Sequence, residues 1–457
     1  MDDKARSGDV ESAFLLPFKI NNLYNVFGVI RHVRGVTYVG YVDQRRSGVD
    51  IPSRVVVARL LTDTNSPDPT FGNNGVAEAI FEHPLLSNLE VGLAMVPQDD
   101  GGMVVVVRDA SHWHVAGLAK FTSAGQLDTS FGEGGVIVHH IAESPTEVEP
   151  SDAIADPQEF EERAVGAMGS NALISLASKS LLYAYHTSIQ GTPGVGLLAR
   201  FLPDGMLDKD FGEDGVVRIV PPEYVGRTVI VHGATELPDG RIAVVGFVYR
   251  LDGTTLREIK GMIFRCLADG TADKSFGDDG FVLTSPPSDY SEKEIASFQF
   301  KSVSVGLDES LVCSGLLFIQ SASGRTETIY GTLHRFDGGG QLDQTFNGEG
   351  VVVFGQKRTA NYFDFVGLQH NGKIVAGGHH ESISEGGQSS KILVARFNAD
   401  GARDVSFARQ GWATATLESG SCFANTMFVD EFSITLGGTY RRTANSPRDA
   451  IVINFTV

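Results

Sequence analysis

The stretch 207–215, LDKDFGEDG, decides the fold of this chain because five variants of it occur elsewhere in the sequence. They are PDPTFGNNG at 67–75, LDTSFGEGG at 127–135, ADKSFGDDG at 272–280, LDQTFNGEG at 342–350 and RDVSFARQG at 403–411. The phenylalanines of the six copies are 60, 80, 65, 70 and 61 positions apart. Such spacing is typical of one supersecondary unit that is repeated and stacked. We therefore interpret the chain as a repeat protein and name this phrase the Phe motif.

Short β-type runs surround each Phe motif. One run precedes it, as in VGLLARF at 195–201, another follows it, as in GVVRIV at 215–220, and a hairpin such as ATELPDGRIAVVGFV at 234–248 completes the unit. The 53 glycines, concentrated in turns, also favour an all-β fold. Four strands per unit and seven units predict a seven-bladed β-propeller of four-stranded antiparallel blades.

A single propeller domain is predicted over residues 1–457, with blades that begin near residues 12, 76, 136, 216, 281, 351 and 412. The last run, IVINFTV at 451–457, is predicted to bring the two termini together. Residues 141–165 form an acidic insertion with eight carboxylates, which we expect to be exposed. It has two interpretations, a disordered segment or a docking loop for a basic partner.

The composition of the Phe motif suggests a structural role. We expect it to cross from the outer strand of one blade to the inner strand of the next, with the ring buried between blades. The aspartate before the ring can accept backbone N–H groups within the turn. The closing glycines Gly135, Gly215, Gly280 and Gly350 can adopt positive φ.

The recurring phrase LDxxFGxxG, placed after an ARF-like strand and a PDG-type hairpin, resembles the bacterial delta 60 repeat family. Its clearest carriers are LPDGRIAVVGF, LLARFLPDGMLDKDFGEDGVV and KILVARFNADGARDVSFARQG. The copies at Phe71 and Phe407 depart from the pattern in the LD start or the FG pair. The resemblance covers essentially the whole chain and implies a propeller-like bacterial repeat protein. It supplies no catalytic residues.

The formal net charge of −19 disfavours nucleic acid and anionic membrane surfaces as partners. The apolar run AFLLPF near the start is too short for a signal-peptide core or a membrane span. We expect a cytoplasmic protein, or one exported by a signal-peptide-independent secretion system. The three cysteines, Cys266, Cys313 and Cys422, lack metal-type spacing and are expected to be buried free thiols.

No nucleophile elbow, phosphate-binding loop or HExxH motif occurs in the chain. The acidic turns at Glu213–Asp214 and Asp278–Asp279 could bind calcium, but adjacent acids that other copies replace fit solvated turns better. We therefore predict no metal and no cofactor. A propeller enzyme would assemble its site from single residues of several blades around the central channel, where local motifs would not reveal it.

The connections that vary in length from blade to blade offer the best candidate binding site. They carry aromatic and histidine side chains that we expect on one face. His112 and His114 could also supply two metal ligands. The predicted binding residues are His112, Trp113, His114, Tyr183, Tyr185, His186, His379 and His380.

Three hypotheses for function follow. The preferred one is a non-enzymatic scaffold that holds a protein partner on the propeller face. The alternatives are a lectin-like, carbohydrate-binding propeller and a hydrolase, lyase or metal-dependent enzyme with its site at the central channel mouth. A polar cluster of Asp, Glu and His lining the channel would favour the enzyme, and an apolar channel would argue against it.

Overall fold

Strands make up nearly all the regular structure in the described part of the chain. The computed structural model describes residues 7–17, 23–32, 35–43, 54–86, 89–109, 114–141, 172–189, 192–222, 226–252, 255–286, 295–320, 326–382, 390–408, 410–418, 420–443, 446 and 448–457. Pro84–Leu86 forms one turn of 3-10 helix. Among the described residues, no helix has the length and apolar character that crossing a membrane requires.

Four antiparallel sheets of four strands follow one another along the chain. The first contains β2 (Leu23–His32), β3 (Val36–Asp43), β4 (Arg54–Leu61) and β5 (Val76–Ile80). The second contains β6 (Leu89–Pro97), β7 (Met103–Asp109), β8 (Val115–Phe121) and β9 (Val136–His140). The third contains β10 (Leu173–Ser175), β11 (Leu181–Ile189), β12 (Thr192–Phe201) and β13 (Val216–Ile219). The fourth contains β14 (Thr228–Glu236), β15 (Ile242–Asp252), β16 (Thr255–Cys266) and β17 (Phe281–Thr284).

A nine-stranded sheet comes next. Its strands are β18 (Ile295–Val305), β19 (Leu311–Gln320), β20 (Thr326–Phe336), β21 (Val351–Phe354), β22 (Thr359–Asn361), β23 (Phe365–Leu368), β24 (Ile374–Ser382), β25 (Ser390–Phe397) and β26 (Trp412–Ala415). The short strand β22 joins the two halves, because it pairs in parallel with β20 and antiparallel with β24.

The last four-stranded sheet joins the two ends of the chain. It contains β27 (Ser421–Val429), β28 (Ser433–Arg441), β29 (Asp449–Thr456) and, on its outer edge, β1 (Val10–Leu15). The Gly8 N–H donates to the Thr456 carbonyl at 2.7 Å, and the Thr456 N–H donates to the Asp9 carbonyl at 3.0 Å. The predicted proximity of the termini is confirmed.

The structure is an all-β propeller with four-stranded antiparallel blades. The first strand of each repeat contacts the first strand of the next, from β2 through β6, β10, β14, β18, β23 and β27 back to β2, so these strands surround the centre. Seven blades were predicted, but only five are separate four-stranded sheets. The strands of residues 295–415 form one nine-stranded sheet instead, because β22 joins them. Sequence periodicity does not reveal such a bridging strand.

The blade boundaries lie one strand away from those predicted. Six of the predicted first strands are in fact the outermost strands of the preceding repeats, and they begin near residues 76, 136, 216, 281, 351 and 412. The seventh, near residue 12, is the outermost strand of the last blade. The Phe motif therefore connects the third and fourth strands within a blade instead of crossing between blades. A local β pattern cannot show which neighbouring runs pair, which is why the boundaries were displaced.

The Phe motif links each blade to the next through a basic residue. The Arg265 Nε donates to Asp273 at 2.8 Å, and its guanidinium lies 4.2 Å from the centre of the Phe276 ring. The Arg265 Nη1 donates to the carbonyl of Gly338, in the next repeat, at 2.7 Å. The same ion pair recurs in Arg59–Asp68, Lys120–Asp128, Arg200–Asp208, Arg335–Asp343 and Arg396–Asp404. We call this arrangement the inter-blade staple.

The roles expected of the individual phenylalanine, aspartate and glycine side chains and backbones in the motif are confirmed, although the motif does not cross between blades. All six phenylalanines are buried. The ring of Phe276 packs against Gly340 of the next repeat. Asp273 accepts the Ser275 N–H at 3.0 Å, and Gly280 has a φ of 92°. Burial raises the pKa of the equivalent Asp404, but hydrogen bonds from Ser406 and Lys373 and the charge of Arg396 hold it at about 2.

The first strands carry β-bulges near the centre of the propeller. His232 of β14 is the extra residue between the pairs Val231–Gly246 and Gly233–Val245, and Lys301 of β18 occupies the same position before Ser302. A bulge adds one residue to one strand and re-aims its side chains. Three blades have, beside the first-strand bulge, a second-strand glycine at which a Cβ would collide with a first-strand carbonyl. These glycines are Gly246, Gly315 and Gly438, and a Cβ at Gly378 would collide in the same way with the Tyr362 carbonyl just before β23.

Removing one motif ring is expected to destabilise the protein strongly. Phe276→Ala should lower the free energy of unfolding by about 3–5 kcal/mol, because it leaves a cavity between blades and removes the surface under Arg265. Phe432→Ala is the matched control, since that ring is 72% exposed, and it should leave stability nearly unchanged. Denaturant unfolding of both variants measures the difference. Equal midpoints would show that the staple ring contributes nothing.

The close approach of the inner segments to the second strands is expected to depend on these glycines. Gly378→Ala places a Cβ against the Tyr362 carbonyl, so it should cost about 1–3 kcal/mol of stability. Gly338→Ala has open space around the new methyl group and a permissive φ, and it should be tolerated. Thermal melting of the two variants checks this. A Gly378→Ala variant as stable as the control would refute the steric role.

Candidate functional site

Three of the predicted binding residues lie inside the protein. Tyr183, Tyr185 and His186 are all buried in β11, so they do not present their rings to solvent on a rim. The two tyrosine rings stack with centroids 5.0 Å apart, and the Tyr185 hydroxyl donates to the Ile141 carbonyl at 2.7 Å. Burial lowers the pKa of His186 to about 3, with Arg108 contributing, so its ring is neutral.

The second cluster of predicted residues is only partly described. His112 and Trp113 lie outside the described residues, as do positions 142–165 of the acidic insertion. His114 is partly buried just before β8, with its ring centroid 5.8 Å from that of His140. Within the described part of the chain, no three His, Cys, Asp or Glu side chains are arranged to hold a metal ion.

His379 and His380 point to different environments because side chains alternate along β24. His379 stacks on Tyr362 with centroids 3.9 Å apart, and its Nδ1 lies 3.5 Å from Asp364 Oδ2. His380 instead contacts Asn361 through Nδ1 at 2.9 Å. Burial and the nearby Lys391 lower the pKa of His380. Of these two predicted histidines, His379 is therefore the one that faces the centre and has an ionisable partner.

Three further polar residues, not predicted from the sequence, extend this group around the centre. His232 Nε2 lies 3.2 Å from Lys301 Nζ, across neighbouring first strands. Burial lowers the pKa of Lys301 to about 8, although the Asp364 carboxylate of the next repeat opposes the shift. Burial, followed by the charge of Lys301, holds the pKa of His232 well below its ordinary value. Lys301 is therefore the cation and His232 the neutral partner.

These residues belong to a larger set that we call the central belt. It comprises His232, Gln299, Lys301, Asp364, His379 and Asn425. Five of them have a buried polar atom without a hydrogen-bond partner among the described residues: His232 Nδ1, Gln299 Oε1, Asp364 Oδ2, His379 Nδ1 and Asn425 Oδ1. Buried polar atoms are normally paired in native proteins. Asp364 Oδ2 and His379 Nδ1 lie 3.5 Å apart as an ion pair, and the other three atoms belong to first strands around the centre, so the belt is a candidate ligand site.

One end of the belt is open to solvent. The His379 side chain is 16% exposed, whereas that of Asp364 behind it is only 5% exposed. Tyr362 and Asn425 are also partly exposed. The Phe423 ring lies 5.6 Å from His379 in an edge-to-face arrangement and forms the far wall. A ligand can therefore reach His379, with Asp364 and Lys301 buried behind it.

A periodic signal in the sequence could have identified the belt. His232, Lys301 and Asp364 each lie seven positions before the Asp or Asn of a hairpin turn, at Asp239, Asp308 and Asn371. Each is also an isolated ionisable residue in a largely apolar first-strand run, and glycine recurs in the following strand. The register that makes these positions equivalent is visible only once the strands are paired.

The remaining candidates have structural explanations. Glu213 and Asp278 lie in exposed turns, which fits the solvated interpretation of the acidic pairs. All three cysteines are buried and free, as predicted. Burial raises the pKa of the Cys266 thiol to about 12 and also raises that of Cys422, so neither is poised as a thiolate.

Comparison with known proteins supports the propeller architecture. Residues 369–407 match the family described as "Domain of unknown function (DUF5122) beta-propeller". This segment runs from the hairpin after β23 to the ring of a Phe motif, so it spans most of one repeat. No curated protein sequence matches the chain.

Among solved structures, polysaccharide lyase Uly1 is similar to this chain with a TM-score of 0.54 and 11% identity, covering 99% of this chain and 97% of the lyase. A NanB sialidase from Streptococcus pneumoniae has a TM-score of 0.40 and 8% identity, over 97% of this chain and 70% of the sialidase. The α-L-arabinanase of Cellvibrio cellulosa has a TM-score of 0.34 and 11% identity, over 69% and 94%.

The preference for a non-enzymatic scaffold with a protein partner is corrected by the likeness to polysaccharide lyase Uly1. A polysaccharide lyase shares the fold over almost its whole length, so the expectation that a propeller without local catalytic motifs is not an enzyme was wrong. That expectation rested on the lack of local catalytic motifs. In this fold the polar residues at the centre come from different repeats, and a search for local motifs cannot detect them.

Proposed function

We propose that this protein is a polysaccharide-cleaving enzyme that works by elimination at the exposed end of the central belt. The observation that carries the proposal is the His379–Asp364–Lys301 group, in which an accessible imidazole, a buried carboxylate and a buried ammonium come together at the centre. A polar cluster in this place is the feature that distinguishes an enzyme from a propeller with an apolar channel.

His379 is the general base in this proposal. The Asp364 carboxylate beside Nδ1 favours a proton on that nitrogen, which leaves Nε2 free to accept one. In an elimination, the base removes a proton from the sugar carbon next to a carboxylate group. The glycosidic C–O bond then breaks, a C=C bond forms, and the proton leaves with the sugar oxygen through the imidazolium or water. A positioned base of this kind contributes about 10²–10⁴ in rate.

Lys301 supplies the positive charge that the reaction requires. Negative charge builds on the substrate carboxylate as the proton leaves, and a cation held in a water-poor site stabilises it strongly. Lys301 is held in place by His232 at 3.2 Å. The partly exposed ring of Tyr362, stacked on His379, offers a surface on which a sugar ring can pack.

The carboxylate inventory supports elimination over hydrolysis. Most glycoside hydrolases use two carboxyl groups, one on each side of the scissile bond. Asp364 is the only carboxylate among the buried polar residues that the structure describes in or next to the first strands. Three of the four ionisable groups in the belt are imidazole or ammonium groups, and these suit proton abstraction beside a carboxylate. The fold shared with polysaccharide lyase Uly1 is consistent with this chemistry.

We also propose two finer points of architecture. The nine-stranded sheet would count as two blades joined by β22, which gives seven repeats around the centre. Its two halves support this, because each contains a four-stranded antiparallel set beginning with a first strand that contacts its neighbours. The repeat itself would be of the delta 60 type, since the Phe motif recurs at 60 to 80 residues.

Cleavage assays on uronic-acid-containing polysaccharides test the proposed function. The wild-type protein should release unsaturated products, detected by their ultraviolet absorbance, together with new reducing ends. His379→Ala should lower the rate by about 10²–10⁴, through loss of the base. Lys301→Met should lower it by about 10²–10³, through loss of the stabilising charge.

Exposed residues of the same type provide matched controls. His370→Ala and Lys209→Met alter solvent-facing positions and should retain full activity. Reducing ends without the double bond would establish hydrolysis and overturn the elimination mechanism. Sugar binding without any cleavage would overturn the enzyme and establish a lectin-like propeller. Melting curves of each variant separate loss of chemistry from loss of fold.

The pH dependence of the rate is expected to report Lys301. Its pKa of about 8 means that the ammonium is present below that pH and is lost as the pH rises through it. The rate should therefore fall above about pH 8. In Lys301→Arg the side chain stays charged across this range, so the remaining activity should not show that fall. If the rate of Lys301→Arg fell above this pH as the wild-type rate does, Lys301 would be excluded as the source of the fall.

A further inference from the structure

Of the two belt residues that the proposed mechanism leaves unused, Gln299 is buried and the partly exposed one is Asn425. It is the extra residue of the bulge in β27, between the pairs Ala424–Gly438 and Thr426–Gly437. His232 and Lys301 occupy the corresponding bulge positions of β14 and β18. The same bulge geometry therefore places a polar side chain at the centre in the last blade.

The surroundings of Asn425 do not satisfy its amide. Its Oδ1 is buried and has no hydrogen-bond partner among the described residues, although the side chain as a whole is partly exposed. Ala424, Thr426 and Met427 beside it are buried. An amide oxygen left unpaired in such surroundings costs stability unless a ligand completes it.

Asn425 also lies next to the catalytic end of the belt. Phe423, two residues earlier in β27, contacts the His379 ring edge-to-face at 5.6 Å. The residue before Asn425 pairs with Gly438, and that glycine lets the first strand approach closely, as Gly378 does beside His379. A sugar packed on the exposed face of His379 would therefore have Asn425 as its neighbour from the adjoining blade.

We propose that Asn425 is a specificity-determining residue that binds a hydroxyl group of the sugar adjoining the cleaved bond, an inference that rests on the proposed function. The chemistry of the unpaired atom defines the ligand. An amide oxygen only accepts hydrogen bonds, so its partner must be a donor. A sugar hydroxyl meets this requirement, whereas an ionised carboxylate or sulfate does not. In this assignment Lys301 faces the carboxylate group of the sugar, and Asn425 faces a neutral hydroxyl group.

Kinetics and direct binding together test this assignment. Asn425→Ala should raise KM about tenfold and leave kcat within about twofold, because the contact is made equally in the bound and reacting states. Asn425→Ser, which keeps a smaller acceptor, should show a smaller increase. Asn371→Ala alters an exposed hairpin and is the matched control. Calorimetric titration of the same uronic-acid oligosaccharides into His379→Ala, with and without Asn425→Ala, should show the same tenfold loss.

The outcomes separate this inference from the proposed function. Absence of cleavage in the wild type, combined with weaker oligosaccharide binding in Asn425→Ala, would overturn the enzyme and support the subsite. A fall in kcat at constant KM would overturn the subsite, because Asn425 would then act in the chemical step. Unchanged KM and unchanged binding in a folded Asn425→Ala variant would also overturn it. No oligosaccharide binding by the wild type would overturn both.

Discussion

The inter-blade staple is the interaction on which the rest of the structure depends. Each sheet exposes a broad apolar face that is stable only against the next sheet, and the staple sets that alignment. Arg265 shows how: one guanidinium contacts its own aspartate, its own aromatic ring and a carbonyl of the following repeat. An ion pair alone would be worth little near the surface. Combined with a buried aromatic ring, the ion pair fixes both the distance and the orientation between neighbouring blades.

This attachment leaves the innermost strands free to vary. The staple lies between the third and fourth strands, whereas the bulges occur in the first strand, on the other side of each sheet. Buried polar residues such as Lys301 and Asp364 cost stability, and a ring held together elsewhere can tolerate them. The molecule therefore separates a uniform framework from a central belt in which each repeat contributes a different side chain.

Much of the framework could be predicted from the sequence, because the Phe motif is local: its aspartate, ring and glycine act within one turn. The blade boundaries and the bridging strand β22 could not be predicted from the sequence, because they depend on which distant runs pair with one another. The site was predicted only in part. His379 was identified from its loop-like surroundings, but Tyr183 and Tyr185 proved to be core residues. His232 and Lys301 were missed because the equivalence of their positions, seven residues before a hairpin aspartate, becomes visible only once the strands are paired.

The sequence repeat and the blade are offset by one strand, and this offset has an evolutionary consequence. Counted from one Phe motif to the next, a repeat carries the last strand of one blade and the first three of the following blade. Tandem duplication or loss of such a unit would change the circumference by one blade and leave every blade with its full set of strands, because β1 and β29 would still pair in the last blade. Lineages carrying this repeat could therefore acquire rings of different sizes by simple recombination. Each size would bring a new set of central side chains around the same axis.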